Sequence, residues 1–144
     1  MSKSEDSVAI TPFPLAMVIC DFIYRDPYTG KYTLTGTFSA ITGKDFPLHH
    51  PHLYVYAALT GGRGKIPLRI ELKSADEEIT IKTIDEEFEF PSDPRAIAEI
   101  AFGFQGLVFP KADEYRLALY ANNEFMVERR ILVLNPKEGF EDVS

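Results

Sequence analysis

The chain has no tryptophan, a single cysteine (Cys20) and only three histidines among its 144 residues. With one thiol, no intramolecular disulfide can form, so the fold has to rest on burial and backbone pairing. Positive charge is also scarce: 15 Lys and Arg stand against 22 Asp and Glu, a formal net charge of −7. Nucleic-acid binders draw most of their affinity from a basic face that neutralises phosphates. No basic stripe is present beyond Lys3 and the pairs Arg63/Lys65 and Arg129/Arg130, so neither nucleic acid nor an anionic membrane is an expected partner. Long apolar runs are missing too. The most apolar stretch is broken by Pro12, Pro14 and Asp21 and falls far short of the ~20 residues that span a bilayer. Met1 to Ser7 is polar and partly acidic, unlike a secretory leader. These features lead us to expect a cytoplasmic chain.

What is present is a core. Hydrophobic residues make up 45% of the chain and aromatic residues 12%. A chain of this length can bury roughly 70% of its unfolded surface and folds without a metal or disulfide. Side chains of a β-strand point alternately to opposite faces, and this period of two dominates the sequence. Tyr32, Leu34, Gly36, Phe38 and Ala40 alternate with Lys31, Thr33, Thr35, Thr37 and Ser39. Ile66, Leu68, Ile70 and Leu72 alternate with Arg69, Glu71 and Lys73. Tyr115, Leu117, Leu119 and Ala121 alternate with Arg116, Ala118 and Tyr120. Weaker runs lie at His52 to Thr60, Glu78 to Ile84, Ala98 to Phe104 and Phe125 to Leu134. With Leu15 to Arg25 they make about eight strands, spaced as in an all-β, two-sheet antiparallel sandwich. The strands occupy 15–134, between a flexible lead-in (1–14) and a polar tail (135–144).

The connections fit this reading. Asp26-Pro27-Tyr28-Thr29-Gly30-Lys31 has the proline and glycine of a tight hairpin. Gly61-Gly62-Arg63-Gly64-Lys65 reads as a mobile hairpin tip between the third and fourth strands. Ser92-Asp93-Pro94-Arg95 could open a helix, but the alternation of Ile100, Phe102 and Phe104 favours a turn leading into a strand. For the last hairpin, a three-residue loop sets Leu119 opposite Val127 and Tyr115 opposite Ile131, which keeps one face mainly apolar.

Lys111-Ala112-Asp113-Glu114-Tyr115, followed by Leu117 and Leu119, resembles the tyrosine corner of immunoglobulin-like domains, whose phenol packs inward while its hydroxyl bonds nearby backbone. More broadly, the chain resembles an uncharacterised bacterial family of small β-sandwich proteins, a domain of unknown function of immunoglobulin-like or C2-like type. The residues carrying this likeness run from Cys20-Asp21 through Gly30-Lys31, then Leu34, Gly36, Phe38, Ile41 and Phe46-Pro47. Later come Gln105-Gly106-Leu107, Phe109-Pro110, Tyr115-Arg116-Leu117, Glu128-Arg129 and Leu132-Val133. The resemblance implies a sandwich and no activity.

Candidate chemistry is sparse. His49, His50 and His52 could bind a transition metal, but Pro51 interrupts them and no cysteine or carboxylate adjoins them. They read better as a solvated loop entering a strand. The glycine-rich run 61–65 lacks the Lys-Ser/Thr and the following helix of a phosphate-binding loop. Asp76-Glu77-Glu78 and Asp85-Glu86-Glu87-Glu89 could bind calcium as C2-like loops do, yet such runs commonly protect sheet edges. Cys20 lies mid-strand, away from any helix terminus that would activate a thiolate. No catalytic residue, cofactor or metal is expected. The anomaly is the first strand, whose two faces are both apolar: Ala16, Val18, Cys20, Phe22 and Tyr24 on one, Leu15, Met17, Ile19 and Ile23 on the other. Either the Pro12-Phe13-Pro14 lead-in folds back over the second set, or another subunit does. Leu15, Met17, Ile19 and Ile23 are therefore the expected contact face of a non-catalytic module that binds a protein partner or forms a homo-oligomer, with a calcium- or small-ligand-binding sandwich as the alternative.

Overall fold

The alternating segments form nine strands among residues 8–136, the part of the chain described by the computed structural model. They are β1 (Phe13–Arg25), β2 (Tyr32–Thr37), β3 (Ala40–Thr42), β4 (Leu48–Thr60), β5 (Gly64–Ser74), β6 (Thr80–Phe90), β7 (Ile97–Phe109), β8 (Asp113–Ala121) and β9 (Glu124–Leu134). Two sheets result, a four-stranded sheet ordered β2-β1-β4-β7 and a five-stranded sheet ordered β3-β9-β8-β5-β6. Their inner faces share one core: Met17, Ile19, Leu53, Val55, Phe102 and Phe104 from the first sheet meet Leu68, Ile70, Leu72, Leu117, Leu119 and Ile131 from the second. Each such side chain contributes about 1.5–3 kcal/mol by leaving water. The chain is thus an all-β, two-layer sandwich.

Three details differ from the sequence expectation. The segment 31–40 is not one strand. It leaves the four-stranded sheet after Thr37 and enters the five-stranded sheet as β3, which pairs with β9 in parallel through Ile41↔Val133, so the sandwich is not wholly antiparallel. The alternation of Tyr32, Leu34 and Phe38 hides this switch, but Ile41, out of step with them, is the buried residue of β3. Gly36 sits at φ 72 just before the switch, with the Asp21 carboxylate packed where a Cβ would stand. Secondly, Gly61 to Lys65 is not a mobile hairpin tip. It carries the chain from one sheet to the other, and it is packed: Gly62 lies under the Phe90 ring and Gly61 under Phe13. Arg63 exchanges two backbone hydrogen bonds with Ile10, both 3.0 Å. The lead-in is therefore anchored from Ile10 onward, while residues 1–7 and 137–144 lie outside the described part.

Thirdly, the last hairpin reaches its expected register by another route. Leu119 does stand opposite Val127 and Tyr115 opposite Ile131. The loop, however, has two residues, Asn122 and Asn123, both at positive φ (54 and 66) as a type I′ turn requires. A bulge between Leu119 and Tyr120 supplies the extra residue that the three-residue loop would have held.

The remaining turns are as read. Asp26 accepts hydrogen bonds from the Thr29 hydroxyl (2.7 Å) and the Tyr28 amide (3.2 Å), and Gly30 adopts φ 74. Asp93 accepts from the Arg95 amide at 2.9 Å in the turn before β7. The tyrosine corner is formed: Tyr115 is fully buried, meets Phe109 edge-on with centroids 4.9 Å apart, and its hydroxyl donates to the Lys111 carbonyl at 2.7 Å. We expect Tyr115→Phe to cost about 1 kcal/mol, the net value of one such bond, and Tyr115→Ala about 3–5 kcal/mol. Denaturant unfolding with an unchanged m-value checks both; equal losses for the two variants would show that the hydroxyl alone carries the corner.

Candidate functional site

The four residues expected to form a contact face do not form a surface. Met17 and Ile19 are each 3% exposed and belong to the inter-sheet core. The Met17 carbonyl, on the part of β1 that β2 leaves uncovered, accepts a 2.7 Å hydrogen bond from Arg129 Nη1, so a β9 side chain reaches across from the opposite sheet to cap it. Ile23 is buried but lies outside the inter-sheet core. Only Leu15, at a bulge between Pro14 and Ala16, is substantially exposed, at 51%.

The opposite side of β1 explains the double apolarity. Cys20 and Ala58 face away from the inter-sheet core, yet they are 0% and 5% exposed. Their cover is the β1–β2 hairpin. Tyr32 pairs with Arg25, whereas Tyr56 pairs with Val18, seven positions back along β1. A straight strand would hold these tyrosines roughly 23 Å apart, at about 3.3 Å per residue. Their ring centroids are 5.9 Å apart. The hairpin therefore folds back over the outer face of β4, burying Ile23 and part of Leu34 and building a second apolar layer within one chain. Burial and a hydrogen bond donated to Glu99 push the Tyr56 phenol up to about 12. Burial likewise raises the Cys20 thiol, which makes it a poor nucleophile.

Large apolar side chains stay exposed on this side, among polar ones such as Thr35, His52 and Gln105. Phe13 and Ile97, 57% and 56% exposed, flank Thr60 in one cross-strand row. Phe22 and Tyr24 are each about half exposed, Phe22 with its ring edge-on to Tyr54 of β4 at 5.4 Å.

The outer face of the five-stranded sheet is built differently. Arg69 grips Asp85 through two bonds of 2.7 and 3.2 Å, and Lys73 lies 3.1 Å from Glu71. Arg116 bridges Glu114 and Glu128, and Arg130 also reaches Glu114. A cleft of about 710 Å³ opens here between Pro67, Arg69, Asp85, Tyr120 and Asn123. Its charged groups are largely engaged with one another. The acidic runs serve the fold as well. Asp76 accepts from the Ser74 hydroxyl at 2.6 Å and from the Glu78 amide at 3.0 Å, and these bonds hold its carboxyl below the usual range. Asp85 is held low by Arg69.

The three histidines all lie within strand β4, not in a loop, and they diverge. At Pro51 and Gly106 the inner and outer sides of the β4–β7 pair exchange: Leu107, opposite His50, is buried, whereas Gln105, opposite His52, is exposed. His50 turns inward against Phe38, with centroids 6.0 Å apart, and its buried Nε2 has no hydrogen-bond partner among the described residues. His52 stays outside with Nδ1 3.2 Å from the Asp21 carbonyl oxygen, and His49 is exposed. No group of three or more ligating side chains is placed to hold a metal ion among the described residues. Sequence reasoning missed the hairpin layer, the Arg129 cap and the inward turn of His50; only Gly106 beside Pro51 hinted at the last.

Burial lowers the His50 imidazole below its usual 6.5, with Asp21 opposing and His52 reinforcing that shift. A folded-state pKa below the unfolded value means that the unfolded chain binds more protons as pH falls. The contribution of His50 is thus intact above about pH 6.5 and lost as pH drops through that value towards the folded one. Wild-type protein is expected to lose unfolding free energy between pH 7 and 5 more steeply than His50→Leu, measured by urea titration at each pH. Parallel pH profiles would refute a buried, titrating His50.

No protein of curated function matches the sequence. A family described as being of unknown function, DUF6941, matches residues 15–134, from the start of the exposed bulge in β1 to the last residue of β9. With most of its length and all but the first two residues of its strands inside that match, the chain belongs to the DUF6941 family.

Proposed function

We propose that this chain is a non-catalytic protein-interaction module of immunoglobulin-like type, and that its contact surface is the outer side of the four-stranded sheet. The immunoglobulin-like reading is supported by the tyrosine corner at the start of β8, by the antiparallel β4–β7 pair in one sheet and by the β9-β8-β5-β6 run in the other. The observation that carries the interaction reading is the contrast between the two outer faces. Phe13, Leu15, Phe22, Tyr24 and Ile97 are half-exposed on the four-stranded side, whereas the five-stranded face exposes Phe125 beside Tyr120 and is otherwise knit by ion pairs. Large apolar side chains gathered on one side of a domain mark contact sites more often than they occur by accident, and aromatic residues are enriched where proteins meet. A cytoplasmic setting agrees with the buried, unpaired Cys20.

The test replaces Phe13, Leu15 and Phe22 together by serine, and separately replaces Arg69 and Arg116 by serine on the other face. Affinity purification with quantitative mass spectrometry is expected to recover proteins with the wild type and the arginine variant that the triple variant loses by tenfold or more. Identical recoveries from all three folded proteins would overturn the proposal.

A further inference from the structure

We infer that β7 is a self-pairing edge, through which two copies of this chain join their four-stranded sheets across a twofold axis. The inference deepens the interaction reading by naming a second copy as one partner. β7 ends its sheet, and no described strand pairs with its far side. An edge strand offers a row of free backbone donors and acceptors to any other strand, and proteins ordinarily blunt such edges with charge, proline or shortness. The other edges here are blunted: the part of β1 that β2 leaves uncovered carries Pro14 and a bulge, and Arg129 caps its Met17 carbonyl. β2 has six residues and β3 has three. β6 carries Lys82, Asp85, Glu86, Glu87 and Glu89. β7 has thirteen residues, no proline and no lysine, and its one charged side chain, Glu99, is engaged by the Tyr56 hydroxyl.

The pattern along β7 also favours a second copy over an arbitrary strand. From Ile97 to Gln105 its odd positions face outward and its even positions Ala98, Ile100, Phe102 and Phe104 face the core. An antiparallel pairing centred on Ala101 keeps that phase. It sets Ile100 beside Phe102 of the second copy, Ala98 beside Phe104, and Ile97 beside Gln105. Glu99 then faces Gly103 rather than the other Glu99, so no like charges meet in a chain of net charge −7. The axis falls between two alanine side chains, small enough for close approach. Such a contact uses the same patch on both copies and closes at the dimer.

Sedimentation equilibrium and light scattering of the full chain from micromolar to hundreds of micromolar are expected to give twice the chain mass. Ala101→Lys is expected to weaken the dimer at least tenfold, and Gln105→Lys, on an exposed position, serves if the first variant does not fold. Amide exchange within residues 97–105 of the wild type is expected to slow as concentration rises, while that of β2 does not change. A monomer across the whole range overturns the inference, as does a dimer that both variants leave equally tight or β7 exchange independent of concentration. The serine variants of the outer face leave β7 intact, so failure of self-pairing and failure of the interaction reading are read separately.

Discussion

Parity is the constraint on which this fold depends. A shared core between two sheets requires every strand to present every second residue inward, and a slip of one residue would turn a whole strand inside out. The core enforces this over most of the chain, from Met17 and Ile19 to Ile131 and Val133. Where parity breaks, the chain does something that plain alternation does not. At Leu15 a bulge puts a large apolar residue into solvent. At Phe38 and Ser39 the chain changes sheets. At Pro51 and Gly106 the sides exchange and His50 turns inward. At Leu119 and Tyr120 a bulge reconciles a two-residue turn with the core register.

The β1–β2 hairpin shows how a single chain solves a two-sided strand. The inner residues of β1 meet the opposite sheet, while the hairpin's own apolar side returns over the outer ones. The return is made possible because β1 stops pairing with β4 after Cys20 and continues only with β2. Its cost is an uncovered edge on the first half of β1, where Met17 would otherwise leave its carbonyl unpaired. Arg129 meets that need. It occupies an inward position of β9 opposite Leu117, yet it carries a charge that the core could not hold, and it extends to the rim of the other sheet. A buried polar group without a partner costs about 1–3 kcal/mol, so the guanidinium is placed where the sandwich is open.

Much of the architecture was legible because alternation and turn chemistry are local. The strands from Ile66, Tyr115 and Phe125, the Asp26–Gly30 turn and the inward Tyr115 all follow from neighbours in sequence. The contact face was misread for a physical reason. Alternation reports that Met17, Ile19 and Ile23 need cover, but a covering layer from the same chain and one from a second chain leave identical marks on a strand. The same limit hid the β2–β3 switch, since Tyr32 to Ala40 alternates without a break and only Ile41 falls out of step. His50 escaped notice because its inward turn depends on Gly106, fifty-six residues away and across the sheet.

The two outer faces follow from what lies beneath them. On the five-stranded sheet the outward positions include Arg69, Glu71, Lys73, Asp85, Glu114, Arg116, Glu128 and Arg130, whose stems cover apolar surface, Ala118 among it, while their heads pair with neighbours. Each exposed pair adds little stability, about 0–1 kcal/mol, but together they leave Phe125, stacked edge-on to Tyr120, as the large apolar side chain still half exposed on this face. On the four-stranded sheet the hairpin already covers the centre of β4, so the outward residues need not shield it. Phe22 and Tyr24 border that layer, Phe22 edge-on to Tyr54, Phe13 and Ile97 flank Thr60, and none of them is part of the inter-sheet core. Apolar side chains that the fold does not use for its own burial remain free to be buried by something else, and this links the parity of β1 to the interaction surface.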